Sequence, residues 1–367
     1  MARFLFFLFS FLSVLSLKAY DNTENVKFGS TVYPIYSLSK IDSKSFILYE
    51  TPISDKISVK FNAVVMQGKI NDSNVKFELW VPSEVKKDGE SYIDYSIIKG
   101  NSKIFPGGRF WVRFDIKSKV DSFKIVVINN GVKSDKFEIK IYEIQTITIP
   151  VKKSSEVSSI TEDKSLSLPD DIPFKMIRRS EWKANPPKEN YTTHTPIKIT
   201  IHHTAGHYPE NYEDSLGEIQ FVQDYHQNAK GWIDIGYHFL IDPMGNIFEG
   251  RPILVVGAHV ANKNTNNIGI SLMGNYHPPV NNALTEKTLN SVVTLVKYIK
   301  DKYAIPQNEF YAHRDLSATD CPGDVLYAKI PEIKNAIFLN DIRSFKVDLD
   351  ISDEDLKKQI SQQILNW

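Results

Sequence analysis

Ile197-Lys198-Ile199-Thr200-Ile201-His202-His203 is the stretch on which the fold turns. Isoleucine alternates with a polar residue from Ile197 to Ile201, the period-2 signature of a strand, and two imidazoles stand at its end. Working outward, Leu216, Ile219, Val222 and His226 recur at helical spacing, while Tyr237 to Ile241 and Ile268 to Met273 read as strands. Thr285 is placed to cap a helix whose apolar stripe is Leu289, Val292, Val296, Ile299 and Tyr303. Strands mixed with helices over roughly 173–335 predict an α/β domain.

Upstream the texture changes. From about 20 to 148, short period-2 segments such as Ile57 to Phe61, Val75 to Trp80, Phe110 to Phe114, Phe123 to Ile128 and Phe137 to Ile141 are separated by turn formers including Asn129-Asn130-Gly131 and Pro106-Gly107-Gly108. Evenly spaced short strands predict an all-β sandwich of immunoglobulin-like size. Residues 149–172, rich in Ser and Lys and with Pro169 near their end, read as a flexible linker. The first nineteen residues have the build of a secretory signal: Arg3, an apolar run from Phe4 to Leu17, and a small residue at Ala19. That run falls short of the ~20 residues a membrane span needs, although an uncleaved N-terminal anchor has the same outline. After cleavage the protein is expected to be soluble, secreted or periplasmic, with no stable membrane span. In the extension 336–367, Ser352 and Asp355 resemble a capping box ahead of a helix presenting Leu356, Ile360, Ile364 and Trp367 on one face.

The chain of 367 residues carries 44 basic and 44 acidic side chains, which excludes a strongly basic, nucleic-acid-binding protein. Its length suggests two domains at about 150 residues each. All nine histidines and the single cysteine, Cys321, lie between 194 and 321, inside the α/β region. Imidazole nitrogen and thiolate sulfur are preferred zinc ligands, and the pair His202-His203 at a strand end and His313, eight residues before Cys321, are the positions that stand out. On spacing alone, two core or surface histidines and an inert buried thiol fit equally well.

The words around these residues narrow the choice. Arg179-Ser180-Glu181-Trp182, Ile201-His202-His203-Thr204-Ala205, Gly231 to Phe239, Gly245 to Arg251, Gly257-Ala258-His259 and His313 to Gly323 together resemble the peptidoglycan recognition protein and type-2 N-acetylmuramoyl-L-alanine amidase family. The resemblance spans about 177–335 and leaves the β region and the tail unaccounted for. It implies an amidase domain over 173–335 with a central mixed sheet flanked by helices. It also implies zinc held by His202, His313 and Cys321, and hydrolysis of the bond between the muramic acid lactyl group and L-alanine. Three protein ligands leave a fourth position for water, the layout of a catalytic site. Tyr237 matches the family's catalytic tyrosine, and Thr319 stands where catalytic members carry lysine or threonine. His203, His226, Trp232, His259 and Asn264 match positions that contact the peptide, although His226 equally suits the inward face of its helix, and Gly231-Trp232 a helix stop with an apolar anchor. Where the cytoplasmic branch has a glutamate, this chain has Ser271, and where glycine is usual after Gly-Ala-His it has Asn262, a residue that tolerates a left-handed backbone. Peptidoglycan or muropeptides are the expected partners. A non-catalytic recognition protein is the alternative, and the β region is expected to act as a wall-binding or protein-docking module, or as a spacer.

Overall fold

A computed structural model of the chain describes residues 24–41, 46–87, 90–149 and 163–338. The proposed signal 1–19, the linker stretch 150–162 and the tail beyond 338, with its Ser352 to Trp367 helix, lie outside the described residues. Among the described residues no helix is long and apolar enough to cross a membrane.

The N-terminal part is all β. Its strands are β1 (Glu24–Asn25), β2 (Ile35–Lys40), β3 (Ile47–Glu50), β4 (Ala63–Ile70), β5 (Val75–Lys87), β6 (Glu90–Lys99), β7 (Asn101–Ile104), β8 (Arg109–Asp115), β9 (Lys124–Asn129) and β10 (Lys136–Ile147). They form an antiparallel six-stranded sheet in the order β1-β10-β4-β8-β7, with β2 also on β10, and a four-stranded sheet in the order β3-β9-β5-β6. The sheets face each other across a core in which Val64, Met66, Phe110 and Val112 of one meet Phe77, Leu79, Ile125 and Val127 of the other. Phe77 and Phe110 stack there with centroids 4.9 Å apart. Ile57 to Phe61, read as a strand from its alternation, joins neither sheet. Ile57 is nonetheless buried and its N–H donates to Asp121 O, so the alternation reports one-sided burial without a ladder.

The C-terminal part is a mixed sheet with helices. Its strands β11 (Met176–Ile177), β12 (Lys198–His203), β13 (Phe239–Ile241), β14 (Ile247–Glu249), β15 (Asn267–Leu272) and β16 (Phe310–Ala312) run in the order β11-β14-β13-β15-β12-β16. β13, β15, β12 and β16 are mutually parallel, so their C-terminal ends share one edge of the sheet. The helices include α1 (Tyr212–Asp224), α2 (Glu286–Tyr303), α3 (His313–Leu316) and α4 (Asp324–Tyr327), and residues 330–338 are helical as well. α2 begins as the sequence predicts, with Thr285 Oγ1 accepting from the Thr288 N–H, and buries Val292, Leu295, Val296 and Ile299 against the sheet. α1 continues directly into a π-helical turn, Tyr225–Ala229. Residues 163–172, read from sequence as linker, lie on this unit: Leu168 is buried in its core and Leu166 O accepts from Leu254 N–H.

The two parts are packed together. The outer face of the six-stranded sheet presents Ala63, Val65, Trp111 and Ile147, and these share one apolar cluster with Ile219, Phe221, Val222 and Tyr225 of α1 and its π turn. Polar contacts rim the cluster. Arg109 makes a bidentate pair with Glu218, at 2.7 and 3.0 Å, and its guanidinium lies 3.7 Å from the Phe221 ring centroid. Trp111 Nε1 donates to Asp224 Oδ1 at 2.8 Å.

Candidate metal and binding site

Parallel pairing brings the two histidines together. β12 and β16 run in register with Ile201 opposite Ala312, so the next residues, His202 and His313, leave their strands side by side. Adjacent strands lie ~4.8 Å apart, and the two imidazole centroids are 4.6 Å apart. A site at the carboxyl ends of parallel strands is where α/β sheets open a crevice. Cys321 arrives from the loop after α3. That loop is fixed by Arg314 on Asp324 (2.9 Å), by Tyr327 OH donating to Asp315 (2.9 Å), and by the Cys321 N–H donating to Thr319 Oγ1 (3.2 Å). One nitrogen from each histidine and the Cys321 sulfur all lie within 4.8 Å of one another, with Cys321 Sγ 3.6 Å from His202 Nδ1.

The hydrogen bonds behind His202 decide which of its nitrogens is free. Asn267 O can only accept, so His259 Nε2, 3.0 Å away, must carry a proton. Burial holds His259 down at about 3, so its ring is neutral and Nδ1 is left as an acceptor. His202 Nε2, at 3.0 Å, therefore donates to it. His202 is itself neutral, held well below its ordinary range by burial and by the neighbouring His313 and His259, and its Nδ1 lone pair is directed at the sulfur. His313, brought down to about 4 by burial, keeps a buried Nδ1 with no hydrogen-bond partner among the described residues. Desolvation pushes the Cys321 thiol up to about 12. Two neutral imidazoles and a thiol facing one point form a donor set for a borderline-soft divalent cation.

The remaining sequence-nominated residues fall into two groups. Tyr237 lies against the centre, 5.4 Å from the His202 ring, and Ser271, in register with His202, has a buried hydroxyl beside it. Burial, then the charges of Cys321 and Glu143, hold the Tyr237 phenol well above its ordinary value, so it stays protonated and can donate. His226 packs at a tilt against half-buried Trp232, with ring centroids 4.6 Å apart, and accepts from the Gly236 N–H through Nδ1, so one ring serves both core and groove. His203 points to the other side of β12 and accepts from the Tyr276 N–H. Asn264 is turned inward, its Oδ1 taking the His259 and Val260 N–H groups at 2.7 and 2.8 Å. Asn262 has the left-handed backbone expected for it, with φ 59°. Thr319 spends its hydroxyl on the Cys321 turn.

Two features escaped the sequence. His259, nominated for peptide contact, stands behind His202, and the only local hint is the pair of glycines that make room for its ring: a Cβ on Gly257 or Gly269 would come within 2.5 or 2.6 Å of it. The second is Glu143, delivered to the same crevice by the N-terminal sheet.

Residues 192–324 match the family model described as N-acetylmuramoyl-L-alanine amidase. Peptidoglycan-recognition protein SC2 of Drosophila melanogaster is 35% identical over 158 residues, covering 42% of this chain and 84% of that protein. Peptidoglycan recognition protein 1 of Mus musculus is 32% identical over 158 residues, covering 42% and 85%. Among solved structures, wild-type Drosophila PGRP-LB is similar at 31% identity and a TM-score of 0.40, covering 42% of this chain and 92% of that one. Through its C-terminal half, with these residues at its parallel-strand edge, the chain belongs to the peptidoglycan-recognition protein family.

Proposed function

We propose that the protein is a zinc-dependent N-acetylmuramoyl-L-alanine amidase, hydrolysing the amide between the muramic acid lactyl group and L-alanine in peptidoglycan. The observation that carries this reading is the convergence of His202, His313 and Cys321. Tetrahedral zinc with nitrogen and sulfur ligands at about 2.0 and 2.3 Å requires N···S separations of about 3.6 Å. His202 Nδ1 and Cys321 Sγ stand at 3.6 Å, and His313 Nδ1 is buried and unpartnered among the described residues, so the donor set fits the ion.

Zinc, when bound, supplies a Lewis acid for the scissile carbonyl and brings the pKa of a water to about 7. The chain's own residues do the rest. His259 keeps the proton of His202 on Nε2 and so holds the ligand nitrogen toward the ion. Tyr237, still protonated, donates to the oxygen that gains charge as the carbonyl becomes tetrahedral. Trp232 and His226 form an apolar and polar ledge along the groove for the peptide. His203 and Asn264 shape that groove through the backbone they hold. In this reading 1–19 directs export to a secreted or periplasmic location, 20–148 is a β unit of immunoglobulin-like size, and 173–335 is the amidase.

The test is incubation of the zinc-loaded, full-length protein with peptidoglycan. Release of L-alanine amino groups, with a free lactyl carboxylate on muramic acid seen by mass analysis, is expected, and both vanish on chelation or in Cys321→Ser. Binding without release would make the protein a sensor, and cleavage elsewhere in the peptide would make it an endopeptidase.

A further inference from the structure

A cavity of about 50 Å³ opens beside Tyr237, walled on one side by α1, its π turn and Gly206, and on the other by Gln67 and Glu143 of the N-terminal sheet. Glu143 reaches it because of a bulge. Along β10, Phe137, Ile139 and Ile141 point into the β core, but the pairing with β4 skips Tyr142, so that Ile141 faces Gly68 and Glu143 faces Gln67. After the skip Ile144 takes the inward position, and Glu143 and Ile147 turn outward toward the C-terminal unit. A bulge commonly re-aims a side chain in this way.

The formal charges around this cavity pair off, Arg109 with Glu218 and Lys230 with Glu143, but among the described residues one carboxylate oxygen is left without a hydrogen bond. Glu218 is neutralised by its bidentate pair with Arg109, which also occupies Gln67 Oε1 at 2.9 Å. Glu143 Oε2 accepts from Tyr225 OH at 2.8 Å and from Gln67 Nε2 at 3.5 Å. Lys230 Nζ stands 3.7 Å from Glu143 and gives its short hydrogen bond, 2.9 Å, to Gln145. Glu143 Oε1 has no hydrogen bond among the described residues. The open valence is thus one carboxylate oxygen, and the strongest hydrogen bond to a carboxylate comes from a charged donor. A water needs ~10–15 Å³ of such space, so the cavity takes a group of a few heavy atoms, such as an ammonium and its methylene, and excludes a sugar ring.

We propose that the N-terminal β unit completes the ligand groove, and that Glu143, set by Tyr225 and flanked by Gln67, is a specificity-determining residue for a primary ammonium on the peptide of a muropeptide. This rests on the peptide-ligand reading above. It makes the β unit a wall of the site, held there by the Arg109 to Glu218 pair and the shared apolar cluster.

The test uses full-length protein carrying Cys321→Ser, which prevents turnover, and measures calorimetric affinity for muramoyl-L-alanyl-γ-D-glutamyl-L-lysine and its Nε-acetyl form. The parent is expected to bind the free amine about tenfold more tightly. Glu143→Gln, which keeps the shape and the Tyr225 hydrogen bond, is expected to bring the two affinities within about twofold. Glu143→Asp, which keeps the charge, retains a preference. Equal affinities in the parent, or a preference that survives Glu143→Gln, overturn the inference while leaving the amidase reading intact. A parent that binds neither form overturns the peptide-ligand reading and this inference with it.

Discussion

The proton on His202 is placed by a carbonyl oxygen that never touches it. Asn267 O fixes His259, and His259 fixes His202, so a chain of two hydrogen bonds of 3.0 Å decides that Nδ1 is the nitrogen offered to a metal. His259→Phe should keep the ring volume while losing the acceptor. Competition with a chromophoric chelator is expected to show zinc affinity ten- to a hundredfold weaker, about the usual cost of removing such a support. Gly269→Ala tests the same link from the backbone. Its Cβ would sit 2.6 Å from the His259 ring on a fully paired strand, so neither side can yield freely. A loss of about 1–3 kcal/mol in urea unfolding, accompanied by weaker zinc binding, is expected. At this scale the candidate ligands were legible: the family resemblance nominated His202, His313 and Cys321, and the structure brings their donor atoms within 4.8 Å. The service role of His259 was not legible, because a tautomer is set by what lies behind a ring in space.

At the scale of elements, local patterns were read well where a single face is buried. The Thr285 cap and the stripe of α2 are where spacing put them. Thr285→Ala removes the acceptor for Thr288 N–H and the bond from its hydroxyl to Pro243 O (2.7 Å). A loss of about 1–2 kcal/mol is expected, read as a lower urea midpoint with unchanged slope. α1 defeated the same reasoning. Its apolar stripe was expected on one side, yet Glu218, Phe221, Gln223 and Asp224 are all buried, because the sheet lies on one flank and the β unit on another. A hint was present in β4, where Ala63-Val64-Val65-Met66 breaks period-2 alternation and so reports burial on both faces.

Across the whole molecule, the joint between the two units is the feature with the largest energetic stake. Arg109 and Glu218 are both nearly fully buried, at 5% and 2% exposed. Arg109→Ala leaves a buried carboxylate without its partner, and a loss of about 3–5 kcal/mol is expected. Scanning calorimetry should then show the single transition split as the units loosen. Arg109→Met combined with Glu218→Leu should recover most of that loss, since an apolar pair of similar volume suits the surrounding cluster.

Local pattern marked the strands that became β12, β13 and β15 and the helix α2 with its Thr285 cap, because periodicity and capping are properties of neighbouring residues, whereas His202, His313 and Cys321 were nominated as a set through the family resemblance. Long-range packing settled that parallel register sets His202 beside His313, that His259 stands behind His202, and that a bulge at Tyr142 turns Glu143 into the groove. Those outcomes depend on which strands pair and which faces meet. Both are settled by contacts between residues far apart in the chain, and a local pattern carries no record of them.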